Sequence, residues 1–181
     1  MYAPTLVFLL CLFAAAAPVF AQEATVTDSV ELEVGQLSGT ALLDITDAEV
    51  ILEWHQNVYL TGSPGDPAEV YFEGDAQDGG RLQYTVQDAG SVKIVVATAD
   101  TIADGALTVE ATECGGGCEG TCGQPQGAVP VGSQPQDLIT GIGNCTTGDL
   151  AGDGYLVHYV LDKPPETDSE EVVVEYELVS E

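Results

Sequence analysis

The chain has 181 residues, of which 30 are Asp or Glu and only three are Lys or Arg, so its formal net charge is -27. This charge argues against nucleic acid and anionic lipid as partners, because both are bound mainly through Lys and Arg. It favours cations as partners, or a saline (halophilic) environment in which screening removes the self-repulsion of the surface. Apolar residues make up 45% of the chain and follow regular patterns, which excludes a disordered acidic polymer.

Residues 1–21 have the features of a secretory signal peptide. The apolar run 6–17 is too short for a membrane span, which needs roughly 20 residues. Pro18 ends the run, and the small residue Ala21 stands where a signal peptidase cuts. We therefore expect a mature chain of residues 22–181, secreted or held at the cell surface, with no membrane span and with a length that fits one domain.

Alternation of apolar and polar residues, typical of strands, dominates the mature chain, and no segment has a convincing helical pattern. Turns are predicted at 62–67 and 78–80, where Gly, Pro and Asp cluster. Short strands separated by such turns favour an all-β fold, an antiparallel two-sheet β-sandwich, with a β-barrel as the alternative. In chain order, the predicted strands lie at 24–34, 50–54, 58–60, 70–72, 82–86, 92–96, 107–109, 155–161 and 171–179.

Residues 113–150 interrupt this pattern with a Gly-, Pro- and Cys-rich sequence, which predicts a long loop insertion that is functional or held covalently. The mature chain has an even number of cysteines, which in an exported protein indicates two disulfides with three possible connectivities. We expect at least one bridge to join this loop to Cys145. A zinc site is the alternative, although the spacing is C-x3-C where zinc pairs usually have C-x2-C. The four cysteines are Cys114, Cys118, Cys122 and Cys145.

Two acidic segments are candidate cation sites. Asp149 and Asp153 supply carboxylates separated by glycines, as calcium loops do, but the segment lacks the spacing and the distal Glu of an EF-hand. Asp149 and Asp153 are therefore candidate Ca²⁺ ligands, with an ordinary acidic turn as the alternative. Asp44, Asp47 and Glu49 form a second, weaker cluster.

No sequence motif points to catalysis. The chain has two histidines, His55 and His158, both in or beside predicted strands, and two cannot make a three-histidine metal site. H-E-x-x-H, G-x-S-x-G, P-loop and dinucleotide-binding motifs do not occur in the sequence. We therefore predict that the protein is not an enzyme, that it has no catalytic residue, and that it has no cofactor other than Ca²⁺.

The alternating stretches near the two ends of the mature chain, 24–34 and 171–179, flank a cysteine-containing β body. In this the chain resembles the β-sandwich subunits of bacterial surface fibres, the pilin-like and spore-coat-type proteins. The segments 67–74 and 82–86 are similar to the P-A-x-F-x-V-x-G pattern and following strand of an uncharacterised bacterial surface family of this kind. The resemblance implies an immunoglobulin-like or pilin-like sandwich with a structural, non-catalytic role. Pilins usually carry one early disulfide, whereas these cysteines lie late in the chain.

A terminal strand of a sandwich either pairs within its own subunit or inserts into the open edge of a neighbour. We therefore expect a structural or filament-forming cell-surface subunit that polymerises with itself by donating residues 24–34. The alternative is a monomeric extracellular module that binds carbohydrate or calcium through residues 113–154.

Overall fold

The computed structural model describes residues 21–32, 40–46, 49–59, 69–74, 76–100, 106–162 and 169–181. The predicted signal peptide, apart from Ala21, lies outside them. The described residues are all-β, with twelve strands and no helix. In chain order the strands are β1 (Ala21–Leu32), β2 (Thr40–Ile45), β3 (Glu49–Tyr59), β4 (Glu69–Glu73), β5 (Ala76–Gln87), β6 (Val92–Ala97), β7 (Leu107–Cys114), β8 (Glu119–Pro125), β9 (Val129–Pro130), β10 (Gln136–Thr146), β11 (Tyr155–Leu161) and β12 (Ser169–Ser180).

These strands hydrogen-bond into one continuous sheet within the described residues. Its order is β4-β3-β1-β12-β6-β10-β5-β11-β7-β9, with β2 paired to β5 and β8 paired to β10. The described pairings are antiparallel except that β1 runs parallel to β12. The predicted antiparallel all-β class is confirmed, whereas a division into two separate sheets is not.

Two strands change partner along their length. The first part of β5 pairs with β11, and its later residues Thr85 and Val86 pair with the end of β10. The first half of β10 pairs with β6 instead, and its register shifts twice between Asp137 and Ile142. Bulges and partner changes of this kind occur where a sheet bends sharply. The bends let one sheet curl around a single hydrophobic cluster, to which β5, β6, β7, β10, β11 and β12 all contribute.

The alternation of apolar and polar residues in the sequence corresponds to an alternation of buried and less buried positions along the strands. Successive residues of β11 are buried and half-buried in turn, as β-strand geometry requires when one face lies on a core. Two buried tyrosines, Tyr159 of β11 and Tyr176 of β12, hydrogen-bond to each other through their hydroxyls, so neither hydroxyl is left unsatisfied in the core. The inward-facing residues of β5, β11 and β12 are Leu82, Tyr84, Val86, Tyr155, Val157, Tyr159, Leu161, Val172, Val174, Tyr176 and Leu178.

The turn predicted at 78–80 is wrong, because these residues lie inside β5. A Cβ on Gly79 would lie 2.8 Å from Cε2 of the Tyr159 ring, and Tyr159 is fully buried. The glycine therefore makes room for a core tyrosine on the neighbouring strand instead of reversing the chain.

The long loop expected at 113–150 is not confirmed, because β8, β9 and β10 all lie within this segment. The sequence of β8 has no apolar alternation, and its pairing with β10 depends on close backbone approach. Gly120 has φ +88°, and a Cβ there would collide with the carbonyl oxygen of Asn144 in β10. Only glycine satisfies both conditions, so a segment that looks like a loop in the sequence is a strand.

Gly120→Ala tests this explanation, with Gly127→Ala as its control. Both glycines have positive φ, but a Cβ on Gly127 meets nothing within 4 Å. Gly127→Ala should therefore cost only the backbone strain, about 1 kcal/mol. Gly120→Ala adds the collision with β10 and should cost about 2–4 kcal/mol. Urea unfolding midpoints at constant m-value measure the difference, and equal losses in the two variants would contradict the close approach.

Candidate functional site

The segment predicted to insert into a neighbour, 24–34, corresponds to β1, with its last two residues outside the described part of the chain. β1 lies between two strands. Glu23–Leu32 aligns in parallel with Ser169–Leu178 of β12. On its other edge, Ala21–Thr27 pairs in antiparallel with Glu49–His55 of β3. In this chain, β1 therefore fills a slot between β12 and β3 of its own subunit.

β12 is anchored along the edge that faces away from β1. Its second half, Glu175–Ser180, pairs with β6. Where β6 ends, side chains continue the edge, because Val173 N donates to Asp100 Oδ2 at 2.7 Å and Val173 O accepts from Thr98 Oγ1 at 2.7 Å. On the edge of β12 opposite β1, hydrogen bonds therefore extend past the residues that pair with β6, as far as Val173.

A terminal clamp holds the last residue beyond β12. The Glu181 carboxylate accepts hydrogen bonds from the Ser91 hydroxyl and, at 2.8 Å, from the Gly141 N–H. The hydrogen bond from Ser91, followed by that from Gly141, lowers the pKa of Glu181, because both stabilise the ionised form. The clamp ties the C-terminal end of β12 to the segment before β6 and to β10, independently of β1.

One feature weakens the attachment of β1. Its ladder with β12 is parallel, and parallel pairs are slightly less stable per residue than antiparallel ones. The slot thus holds β1 through a parallel ladder on one edge and an antiparallel ladder on the other.

The cysteines divide into two pairs. Cys114 at the end of β7 and Cys118 just before β8 form a disulfide. Cys122 of β8 and Cys145 of β10 are buried thiols. The Cys122 thiol donates to the carbonyl oxygen of Thr146, the residue after Cys145, at 3.4 Å, and Cys145 carries no disulfide in this structure. Burial, and next the neighbouring Cys122, raises the pKa of Cys145 to about 12.

A pair of tyrosines fixes the backbone at Cys122. The rings of Tyr84 and Tyr155 are stacked with centroids 5.9 Å apart and an interplanar angle of 6°. Both hydroxyls donate to the carbonyl oxygen of Cys122, that of Tyr155 at 3.0 Å. Burial raises the pKa of each tyrosine, so both hydroxyls stay protonated and remain donors. The alternation in the sequence indicates which residues face the core but cannot show that two tyrosines share one acceptor.

The carboxylate of Asp153 is used within its own turn. Its Oδ2 accepts a hydrogen bond from Leu150 N at 3.0 Å, and Leu150 O accepts from Asp153 N at 2.9 Å. Its carboxylate also fills the space beside Gly117, where a Cβ would lie 2.9 Å from it. Asp149 is exposed. This geometry gives Asp153 a structural role in joining the 148–154 turn to the turn that the Cys114–Cys118 disulfide closes.

The other candidate residues form no metal centre in the described part of the chain, where no group of three or more His, Cys, Asp and Glu is placed to hold a metal ion. Asp44 Oδ1 accepts from the following amide, that of Ile45, at 2.9 Å, and Asp47 lies outside the described residues. His158 lies on the outer face of β11, where Nδ1 is 3.0 Å from Asp78 Oδ1. The side chain of His55 is not described.

A half-open cavity of about 430 Å³ lies beside the 148–154 turn, lined by residues of β5, β11 and that turn, among them Arg81 and Gln83. Two of its polar side chains are engaged by the turn itself. Arg81 Nη1 donates to Gly154 O at 3.2 Å, and Gln83 Nε2 donates to Leu150 O at 2.9 Å. Sequence reasoning missed this cavity, because its lining comes from segments far apart in the chain.

Comparisons with protein-family models, with curated proteins and with solved structures find no match to this chain. Across the residues that the structure describes, none of the secondary structure is a helix of the length and apolarity required to cross a membrane.

Little of the negative charge is neutralised by side chains. Of the three basic residues, Lys93 forms an ion pair with Asp137 at 2.6 Å, Arg81 donates to a backbone carbonyl, and Lys163 lies outside the described residues. With a formal net charge of -27, the folded chain concentrates negative charges that the unfolded chain spreads apart.

Asp153→Ala should lower the free energy of unfolding by about 1–2 kcal/mol, because it removes the acceptor of the Leu150 amide. Asp149→Ala is the matched control, and because Asp149 is exposed, its loss should change stability by less than about 0.5 kcal/mol. Thermal melts with added Ca²⁺ and with EDTA measure both. A calcium-dependent rise in Tm that both variants abolish would contradict the structural role and support the calcium site.

Raising NaCl from low to molar concentration should raise Tm by several degrees, because screening relieves the repulsion within the folded state. KCl at the same ionic strength should act equally, since screening depends on ionic strength and not on the identity of the cation. A Tm that is indifferent to salt would contradict this account of the surface.

Proposed function

We propose that the protein is a secreted, non-enzymatic structural subunit that assembles into a fibre at the cell surface by β-strand exchange. In the assembled form, β1 of one subunit occupies the slot between β12 and β3 of the next. The alternating pattern of residues 24–34, the resemblance to fibre subunits, the signal-peptide features of residues 1–21 and the acidic composition support this proposal. The observation that carries it is the position of β1, which is paired on both edges while its neighbour β12 is anchored elsewhere.

Exchange of β1 between subunits is energetically accessible, because the hydrogen bonds lost within one subunit are replaced by the same hydrogen bonds between two subunits. A neighbour's β1 would make the parallel ladder with Ser169–Leu178 and the antiparallel ladder with Glu49–His55 that the chain's own β1 makes. Exchange of an identical element is a low-cost route to assembly for this reason. The net cost is therefore mainly the entropy of association.

Removal of β1 leaves two exposed strand edges, one on β12 and one on β3. The hydrogen bond accepted by Asp100 and those donated by Thr98, Ser91 and Gly141 keep β12 and the residue after it on the body. Val50 and Leu52 of β3 belong to the hydrophobic cluster, so packing holds β3 there as well. A vacated slot of this kind is a template for an incoming strand, as in other β-augmentation interactions.

The net negative charge of the subunits determines the ionic conditions under which they can assemble. Subunits with a formal net charge of -27 repel each other, so contact between them requires salt or bound cations. The role proposed for cations is therefore to screen contacts between subunits, which needs no dedicated metal site.

Two variants, each with one added cysteine, distinguish donation of β1 to a neighbouring subunit from pairing of β1 within its own subunit. Ser29 of β1 and Glu175 of β12 stand opposite each other in the parallel register, and Glu175 is exposed. We expect Ser29→Cys chains co-refolded with Glu175→Cys chains, in molar NaCl under mild oxidation, to form disulfide-linked heterodimers. Non-reducing electrophoresis of chains of different tag length measures them, and negative-stain microscopy of the same samples detects fibres.

Ser29→Cys chains mixed with Glu110→Cys chains provide the matched control, because Glu110 is equally exposed but pairs on β7 with His158. This mixture should give only background cross-linking. Cross-linking confined to single chains of the Ser29→Cys/Glu175→Cys double variant, with no heterodimers and no fibres, would show that β1 stays in its own subunit and would contradict the proposed function.

A further inference from the structure

The buried thiols of Cys122 and Cys145 lie on directly paired strands. In the β8–β10 ladder, Ile142 stands opposite Cys122 and Cys145 stands opposite Gly120, with a register shift between the two pairs. The shift and the side-chain-free Gly120 bring the backbones of the two strands close beside Cys145. Only 9% of Cys122 and 7% of Cys145 is exposed, and the Cys122 thiol donates to the carbonyl oxygen of Thr146, the residue after Cys145, at 3.4 Å.

An open depression leads from the surface to Cys145. It has a volume of about 390 Å³, and Cys145 lies in its wall together with Asp88, Glu119 and Asn144. Asn144 Oδ1 accepts from Asp88 N at 2.8 Å, which fixes one side of the entrance. A small disulfide reagent can reach Cys145 through this depression, and the two acidic side chains favour a cationic reagent over an anionic one.

We propose that Cys122 and Cys145 form a second disulfide, which joins β8 covalently to β10 and completes the pairing Cys114–Cys118 and Cys122–Cys145. The bond forms by thiol–disulfide exchange with a low-molecular-weight disulfide. One protein thiolate attacks a sulfur of that disulfide, forming a mixed disulfide and releasing one small thiolate. The second protein thiolate then attacks the protein sulfur of the mixed disulfide and releases the other. Two electrons pass to the reagent, and the two protons lost by the protein thiols are taken up by the released thiolates.

The bond would act on a strand with a single pairing partner. Within the described residues, β8 pairs only with β10. The hydroxyls of Tyr84 and Tyr155 already fix the carbonyl of Cys122, so the bond would close a pair whose backbone is pre-positioned. The raised pKa of Cys145 keeps its thiol protonated near neutral pH, so the exchange should be slow in the folded protein and faster as the pH rises toward about 12.

Peptide mapping of the full chain tests the pairing, with cystamine, a cationic disulfide, as the oxidant. After treatment at pH 9, free thiols are alkylated in denaturant, and the chain is cut with proteases specific for Glu and Asp. Cuts at Glu119 and Asp137 separate Cys118 from Cys122 and Cys122 from Cys145. The peptide with Cys122 should be linked to the peptide with Cys145, and Cys114–Cys118 should lie within one peptide.

Stability provides a second readout that does not depend on mapping. In oxidised protein, Cys122→Ser, Cys145→Ser and the double variant should each lower Tm by the same amount, about 5–15 °C, because any of them removes one bridge. In dithiothreitol, the difference between the parent and the Cys145→Ser variant should shrink. Free thiols or cysteamine adducts at both residues, a bridge from either to Cys114 or Cys118, or additive losses of Tm would overturn the assignment.

Discussion

The parallel ladder between β1 and β12 is the pairing on which the arrangement of the whole sheet depends. In the path of hydrogen-bonded strands, β3 and β4 reach the rest of the sheet only through β1. The same ladder is parallel in a sheet whose other described strand pairs are antiparallel. A position between two strands and a parallel ladder thus coincide in β1. The strand exchange that we propose would leave the β12 side of the slot held by β6, Thr98 and Asp100.

The remainder of the structure resists such rearrangement. Buried tyrosines tie strands together through their hydroxyls: Tyr159 bonds to Tyr176 across β11 and β12, and Tyr84 and Tyr155 both bond to the carbonyl of Cys122. Each of these bonds satisfies a polar group that would be costly to leave buried alone. These bonds join strands of the body without involving β1, and Cys122 of β8 and Cys145 of β10 lie where the proposed disulfide would add a covalent link.

Part of this architecture follows from the sequence, because burial on one face imposes a period of two. The runs that become β11 and β12 show this period plainly. The strand β8 could not be predicted in this way, since Gly120 and Gly123 occupy positions where backbone approach, and not side-chain burial, decides the conformation. A glycine can also indicate either a turn or a close contact, and the sequence predicts a turn at Gly79. In the structure, glycine at this position leaves room for the ring of Tyr159, some 80 residues away in the chain.

The order of the strands and the partners of individual side chains also cannot be predicted from the sequence. Alternation tells which residues face the core but not which strands are neighbours, so the parallel pairing of β1 with β12 was not predictable. The spacing of the cysteines left three connectivities open, and only the structure pairs Cys114 with Cys118. For Asp153, the sequence suggested a cation ligand, while the structure shows a carboxylate that closes its own turn on the Leu150 amide.

Native-state hydrogen exchange measures the opening of β1 separately from that of its neighbours. It therefore tests whether β1 can leave its slot while the rest of the sheet stays folded. The account predicts that amides of β1 exchange through an opening of lower free energy than global unfolding, while the amides of β12 that bond to β6 stay protected to the global limit. Exchange of β1 and β12 together, at the free energy of global unfolding, would show that β1 is an inseparable part of the body and would contradict the account.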